Sequence, residues 1–371
     1  MFSPLGRGVF WLFFNEIRSL HLAKAMRIAF IGSGGIARTY IKYMKKFEGL
    51  EVVAAADPAV ASLEAFAADV PGVVTYDDYH KMLKQTKDLD LVCVCSPNGA
   101  HADNTLAALR AGVNVVVEKP MAMNAAECQK MIDTAKRARK ELIVGFQFRF
   151  DPRTEMIRRQ VAEGHFGKVL YVRCQALRRR GIPNWGVFGR KDLQGGGPMI
   201  DIGVHCLEMA HYAIGSPRPV SATGNCWTYH GNKKSDIASM WPNWDYKTYT
   251  VEDLAVGMIR FDSGTMLNIE ASFVAHIEKD VWTFQLMGEK GGASWEPTLL
   301  FTDHNGYMVN MAPGWIGAGG WDVIWEQKIK HFVEVIREGK PNRAPGEHGL
   351  MVQKMLDGVY ASAASGKEVR V

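Results

Sequence analysis

From residue 26 to about 150, short apolar runs alternate with stretches of helical spacing. Residues 27–31, 51–56, 91–95, 113–117 and 142–146 read as strands, and 34–47, 59–69, 100–111 and 124–140 as helices. Strands that are apolar on both faces and separated by helices predict a parallel sheet covered on both sides. Right-handed crossovers then make the sheet doubly wound.

The pattern changes after Asp151-Pro152. A helix over 154–163 leads to a strand over 168–176, and a second helix is expected over 201–214. From 220 to about 311 the apolar period is mostly two, broken by turns such as Asp262-Ser263-Gly264 and Glu289-Lys290-Gly291-Gly292. That pattern predicts antiparallel hairpins. Residues 229–249, rich in Trp, Asn and Lys, read as a long loop, and helices over 322–338 and 346–364 close the chain. The expectation is an α/β protein: an N-terminal doubly wound domain over 26–150 and a C-terminal α+β domain over 151–371. The second domain would carry a large, mainly antiparallel sheet with one open face, and the terminal helices could pack back on the first domain.

A length of 371 residues suits two domains. The net charge of +5 is dispersed, and the one dense basic run, Arg178-Arg179-Arg180, lacks interleaved aromatics, so no nucleic-acid partner is expected. The apolar run Val9-Phe10-Trp11-Leu12-Phe13-Phe14 is far shorter than the ~20 residues of a membrane span. Ala23-Lys24-Ala25 has the form of a signal-peptidase site, but Glu16, Arg18 and Lys24 charge a stretch that a leader keeps neutral. Residues 1–25 are therefore read as an extension before Met26, with secretion the lesser alternative and no membrane partner expected. Six cysteines without a C-x-x-C pair fit free thiols in a reducing cytoplasm.

Directly after the first strand stands Gly32-Ser33-Gly34-Gly35-Ile36-Ala37, the form G-x-G-x-x-A. Its glycines allow a tight turn and close backbone approach, and the small last residue packs the helix on the sheet. A pyrophosphate would lie at the helix N-terminus, where free N–H groups favour an anion. Asp57 ends the second strand about 20 residues past the motif, where a carboxylate accepts from ribose hydroxyls and repels a 2′-phosphate. NAD is thus expected rather than NADP. The loop after the fourth core strand offers Ser96, Pro97, Asn98 and His101 as further contacts, with a helix-start role equally open for His101.

Two more segments carry chemistry. Glu118-Lys119-Pro120 follows a buried strand, so Lys119 either points into the crevice or is a surface lysine of a β-α loop. Gly195-Gly196-Gly197 precedes Asp201 and His205, four apart at the start of a helix. An imidazole held beside a carboxylate suits a general base for an alcohol. His205, Cys206 and His211 fit no usual zinc spacing, so no metal is expected.

In this order, Gly32-x-Gly34-x-x-Ala37, Glu118-Lys119-Pro120 and Asp201-x-x-x-His205 resemble the glucose–fructose oxidoreductase/inositol dehydrogenase (Gfo/Idh/MocA) family, from Met26 to the C-terminus. The resemblance implies a Rossmann domain and an open-faced sheet through which members often form homo-oligomers. It implies that Lys119 orients the substrate hydroxyl, that Asp201 supports it, and that His205 is the base. It also implies sugar or cyclitol substrates, with Glu118 and Lys119 near the cofactor. The segment Arg178-Arg179-Arg180-Gly181-Ile182-Pro183-x-Trp185 is similar to that of members acting on glucosides or anhydrosugars, although a solvated strand end remains open. Arg149, Trp185 and Tyr246 are the remaining substrate-contact candidates. The expected activity is an NAD-dependent dehydrogenase of sugar CH–OH groups. One alternative is an NAD-dependent glycosidase that oxidises transiently and eliminates the aglycone. Another is a nucleotide-binding sensor, which would have no need of Lys119, Asp201 and His205.

Overall fold

The computed structural model describes residues 25–371 except Met240 and Ala318; the expected extension, up to residue 24, lies outside the described residues. Strands β1 (Met26–Ile31), β2 (Leu50–Ala56), β3 (Val74–Tyr76), β4 (Leu91–Val94), β5 (Asn114–Val117) and β6 (Leu142–Val144) form one sheet. Its order is 3-2-1-4-5-6 and every pairing is parallel. Helices α1 (Gly35–Met44), α2 (Val60–Asp69), α3 (Tyr79–Gln85), α4 (His101–Arg110) and α5 (Ala125–Ala138) make the crossovers. Central strands are mostly apolar because both faces are covered; β4 is apolar and buried at every residue. The strand β3 and helix α3 are additions to the sequence expectation. β3 is a three-residue edge strand, mostly exposed, so no apolar run marks it. The order reverses between β1 and β4, and the crevice beyond their carboxyl ends is where such sheets bind ligands.

Helix α6 (Pro152–Ala162) starts on Pro152, with the Asp151 carboxylate accepting from Arg153 N. Beyond it come β7 (Val169–Leu177), the short α7 (Lys191–Gln194), a π-helical turn at Met199–Gly203, and α8 (Val204–Ala213). Strands β8 (Pro219–Trp227), β9 (Leu254–Phe261), β10 (Met266–Ser272), β11 (Val281–Gly288), β12 (Gly291–Ser294), β13 (Leu299–His304) and β14 (Tyr307–Met311) follow. Then come α9 (Trp321–Glu338), α10 (Gly346–Ser365) and β15 (Val369–Arg370). The second sheet has nine strands in the order 14-13-12-11-7-10-9-8-15. Among the described residues, only β7 and β10 pair in parallel in this sheet. The burial of β9 alternates strictly apart from its edge, as a sheet with one covered face requires.

The last two helices join the layers. On α9, Trp325 packs edge-on to Tyr40 at 5.2 Å and stacks on Tyr43 at 5.7 Å, both from α1. At its start Asp322 and Glu326 meet Tyr43 and Lys46. α10 threads between α5 and β8, where a Cβ on Gly349 would strike Met121 and one on Gly358 would strike Ala222.

Candidate active site

The turn after β1 is built on Gly32, whose φ is +89°. A Cβ there would lie 2.5 Å from the Cys95 carbonyl carbon and the Ser96 nitrogen, so only glycine lets the two strand ends close up. Gly34 caps α1 with no side-chain partner, and space above Gly34 and Gly35 is open to at least 4 Å. Ile36 is half-buried there, and Ala37 is sealed in the core beneath. Free N–H groups of a helix start facing open space form a cradle for a diphosphate. Asp57 stands beside it, accepting from Ser33 N at 2.8 Å and Ser33 Oγ at 3.1 Å with one oxygen and from Ala59 N at 2.9 Å with the other. The glycine turn and the acid are therefore one unit, and the residues fit an NAD nucleotide.

At the end of β4, Ser96 and the exposed Pro97 rim the crevice. Asn98 is buried and donates to Gln194 O at 2.9 Å, tying the crevice to α7. His101, expected either as a ligand contact or at a helix start, sits between two loops at the first residue of α4. It is buried, with Nδ1 2.8 Å from Pro120 O and Nε2 2.9 Å from Ser96 O. Burial lowers its pKa against the opposing pull of the two carbonyls, and a neutral ring donates to one of them only.

Glu118, expected near the cofactor, is buried as well. Its carboxylate turns inward, 2.5 Å from Tyr40 OH and 2.6 Å from Lys328 Nζ of α9. Burial opposes its charge, but Lys328 and the tyrosine hydroxyl hold its pKa below the ordinary range. The other oxygen accepts from Lys119 N at 3.2 Å, so this buried pair fixes the loop that carries Lys119.

Lys119 itself enters the crevice. Its Nζ lies 3.1 Å from Asp201 O and 3.5 Å from Asp201 Oδ1. The sequence expectation is a carboxylate of Asp201 held beside His205. Among the described residues no hydrogen bond joins them; Asp201 lies in the π-turn and His205 one step into the α-helix. A π-turn breaks the four-residue stacking of a regular helix and recurs at functional sites. His205 is half-buried against Phe148 (5.4 Å, edge-on) and Trp282 (6.2 Å), and its ring nitrogens have no hydrogen-bond partner among the described residues. Burial, then the cations of Lys119, Lys328 and Arg178, hold its pKa well below 6.5. The imidazole is neutral and its lone pair is available.

The π-turn is held from outside by Glu252, which the sequence expectation lacks. This buried carboxylate accepts from Gly197 N at 2.9 and 3.0 Å, from Met199 N at 3.3 Å and from Tyr360 OH at 2.8 Å. A Cβ on Gly197 would collide with the Glu252 carbonyl, which explains the glycine. The neighbouring Asp253 accepts from Tyr229 N, His230 N and Gly231 N at 2.6, 2.6 and 2.9 Å, pinning the head of the long loop. The acidic doublet at the head of an alternating strand was the available signal for both.

Arg149, expected as a substrate contact, lies in the interior. It is fully buried, paired with Glu208, and donates to Arg343 O and faces His348 Nδ1. It anchors α8 to the loop before α10. Trp185 is 49% exposed and packs edge-on to Trp241 at 4.7 Å. Tyr246 lies half-buried in the long loop, and its hydroxyl has no partner among the described residues. Arg179 and Arg180 turn toward the segment from His276 to Asp280, whereas Arg178 acts electrostatically on Asp201 and His205. Among the described residues no group of three His, Cys, Asp or Glu could hold a metal ion, and no helix is long and apolar enough to cross a membrane.

Residues 26–146 match the model of the oxidoreductase family with an NAD-binding Rossmann fold, and residues 154–294 match the GFO/IDH/MocA C-terminal domain. D-glucoside 3-dehydrogenase of Escherichia coli strain K12 is 35% identical over 358 residues, 96% of this chain and 100% of the relative. Myo-inositol 2-dehydrogenase of Thermotoga maritima is 27% identical over 351 residues, 93% of this chain and 97% of the relative. A solved levoglucosan dehydrogenase in complex with NADH and L-sorbose superposes with a TM-score of 0.80 at 21% identity, covering 94% of this chain and 99% of the other, a likeness of fold. Glycine turn, lysine loop, the π-turn aspartate with the histidine after it, and both domain matches converge: the chain belongs to the Gfo/Idh/MocA family of NAD-binding oxidoreductases.

Proposed function

We propose that this chain oxidises a ring secondary hydroxyl of a D-glucoside or a closely related pyranoside, using NAD in preference to NADP. One observation carries the reading: Lys119 Nζ rests on Asp201 while the neutral, unpartnered ring of His205 follows one helical turn later in the same cleft. The full-length similarity to a D-glucoside 3-dehydrogenase supports the substrate class. Asp57 beside the glycine turn supports NAD.

In this reading Lys119 donates a hydrogen bond to the reacting oxygen and stabilises the alkoxide character that develops on it. Asp201 holds the ammonium in place. His205 accepts the hydroxyl proton. Bound NAD supplies the acceptor for the hydride that leaves the carbinol carbon. Phe148 and Trp282 keep water from one side of the imidazole, and Trp185 and Tyr246 are assigned to the outer part of the substrate cleft. The free cysteines support a cytoplasmic setting. Tyr307, Met308 and Met311, exposed on β14, support self-association through the second sheet.

The test is initial-rate NADH formation from methyl β-D-glucoside, D-glucose and myo-inositol, with sugar products analysed in parallel. Stoichiometric NADH and a keto-glucoside are expected. Glucoside cleavage without NADH accumulation would instead establish the redox-neutral glycosidase route, and turnover of myo-inositol alone would overturn the glucoside assignment.

A further inference from the structure

Beyond the catalytic trio the cleft continues into an aromatic corner. Arg178 leaves the end of β7 with its guanidinium 4.9 Å from the Trp241 ring centre and 5.4 Å from that of Phe273. The π-turn that carries Asp201 lies on the same strand line: a Cβ on Gly203 would come within 2.9 Å of Ala271 Cβ. Phe273 follows two residues after Ala271, just past the end of β10, and Arg178 N donates to Ser272 O between them at 2.9 Å. The stack of Phe273, Arg178 and Trp241 therefore stands immediately beside the catalytic turn, and Trp185 continues it outward.

This corner is built. Asn184 Nδ2 donates to Pro242 O at 2.8 Å, joining the loop of Trp185 to that of Trp241. Arg178 Nη1 donates to Gly181 O at 2.9 Å, and Thr250 N to Gly189 O at 2.9 Å closes the far end of the same two loops. Phe188 buttresses Trp185 at 5.9 Å. Two indoles at 85° to one another enclose a right-angled recess, and Trp185 still exposes 49% of its surface after both ring contacts. A rigid, preorganised indole left half bare beside a polar site has the form of a platform for a flat ring with C–H edges.

We infer that Trp185 and Trp241 form a subsite for the aglycone, and that the chain favours glucosides whose aglycone is a flat ring, aromatic or pyranosyl, over those with a small alkyl group. The inference rests on the proposed glucoside oxidation. The reacting ring sits over Lys119 and His205, and the group on its anomeric oxygen extends past Arg178 into the recess. Arg178 marks the boundary, with its charge toward Asp201 and its flat face on Trp241.

The test compares kcat/KM for phenyl β-D-glucoside and cellobiose with that for methyl β-D-glucoside, in the wild-type enzyme and in Trp185→Ala, Trp241→Ala and Trp185→Phe. The wild type is expected to favour at least one ring aglycone by about tenfold, the size of one good stacking contact. The ratio of ring to methyl substrate should collapse toward one in both alanine variants and persist in Trp185→Phe. The two ring substrates separate an aromatic from a saccharide preference. Equal ratios in wild type and variants would overturn the subsite while leaving glucoside oxidation intact. If the wild type oxidises no glucoside at all, the functional reading fails first and the subsite with it.

Discussion

Lys328 Nζ stands 2.6 Å from Glu118 Oε1 in the interior, linking helix α9 to the loop that carries Lys119. The ammonium also lies over the rings of Tyr40 and Trp325, at 4.5 and 4.2 Å from their centres. Glu118 thus acts on the cleft from behind, through its neighbour.

Lys328→Met should leave Glu118 buried without its cation. Breaking such a pair costs about 3–5 kcal/mol, whereas replacing both partners by apolar groups is often near neutral. Urea unfolding should show that loss in Lys328→Met and partial recovery in the double variant Lys328→Met, Glu118→Leu. A loss below about 1 kcal/mol would mean that the pair is solvated or idle.

Glu252 should matter more for turnover than for cofactor affinity. Glu252→Ala removes the acceptor of Gly197 N and Met199 N and frees the turn bearing Asp201. A displacement of about 1 Å at a catalytic group costs roughly a hundredfold in kcat. Glu252→Gln keeps an acceptor oxygen and should recover much of the rate. Matching losses in the two variants would assign the effect to charge rather than position.

His205→Asn should lower kcat by about a hundredfold to ten-thousandfold while sparing NAD binding measured by fluorescence titration. Because the imidazole is held well below 6.5, the acid limb of kcat/KM should fall well under that value. A limb at or above pH 6.5 would count against His205 as the base.

Acid should destabilise the fold in a window set by buried imidazoles. Burial above all pushes His211 and His331 down to about 4 and His348 to about 3. Unfolded, each titrates near 6.5, so between about pH 6.5 and 4 the unfolded chain binds protons that the folded chain refuses. Their stabilisation is whole above 6.5 and is lost as pH falls through that window. Stability that is flat from pH 7 to 5 would contradict these protonation states.

Asp57→Ala should raise the KM for NAD and narrow its advantage over NADP. It removes both a ribose acceptor and the anchor of Ser33. Unaltered discrimination between the two cofactors would remove Asp57 from the ribose site.

The parallel layer was legible because its signals are local. An apolar run, a glycine turn and an acid at the next strand end all follow from one short stretch of chain. Lys119 and His205 stood out as candidates in the same way, each next to a marked loop. What escaped depends on contacts remote in sequence. Nothing around Arg149 distinguishes a cleft arginine from one sealed against Glu208, because only the packing of α8 and the loop before α10 decides it. Lys328 and Glu252 read as ordinary charges on a helix and at a strand head until Glu118 and Gly197 are brought to them. The π-turn has no periodic signature, since one widened turn disappears within a run expected to be regular helix.

The Lys328–Glu118 pair also orders events during synthesis. Emerging from the ribosome, the segment with Tyr40, Tyr43 and Glu118 has its own sheet but neither the cation nor the Trp325 ring that covers it. Those arrive about two hundred residues later, tens of seconds at the slower rates of translation. The part of the chain that is made first is therefore completed last, and a nascent chain stopped before α9 would expose the aromatic face of α1 to whatever chaperone is near.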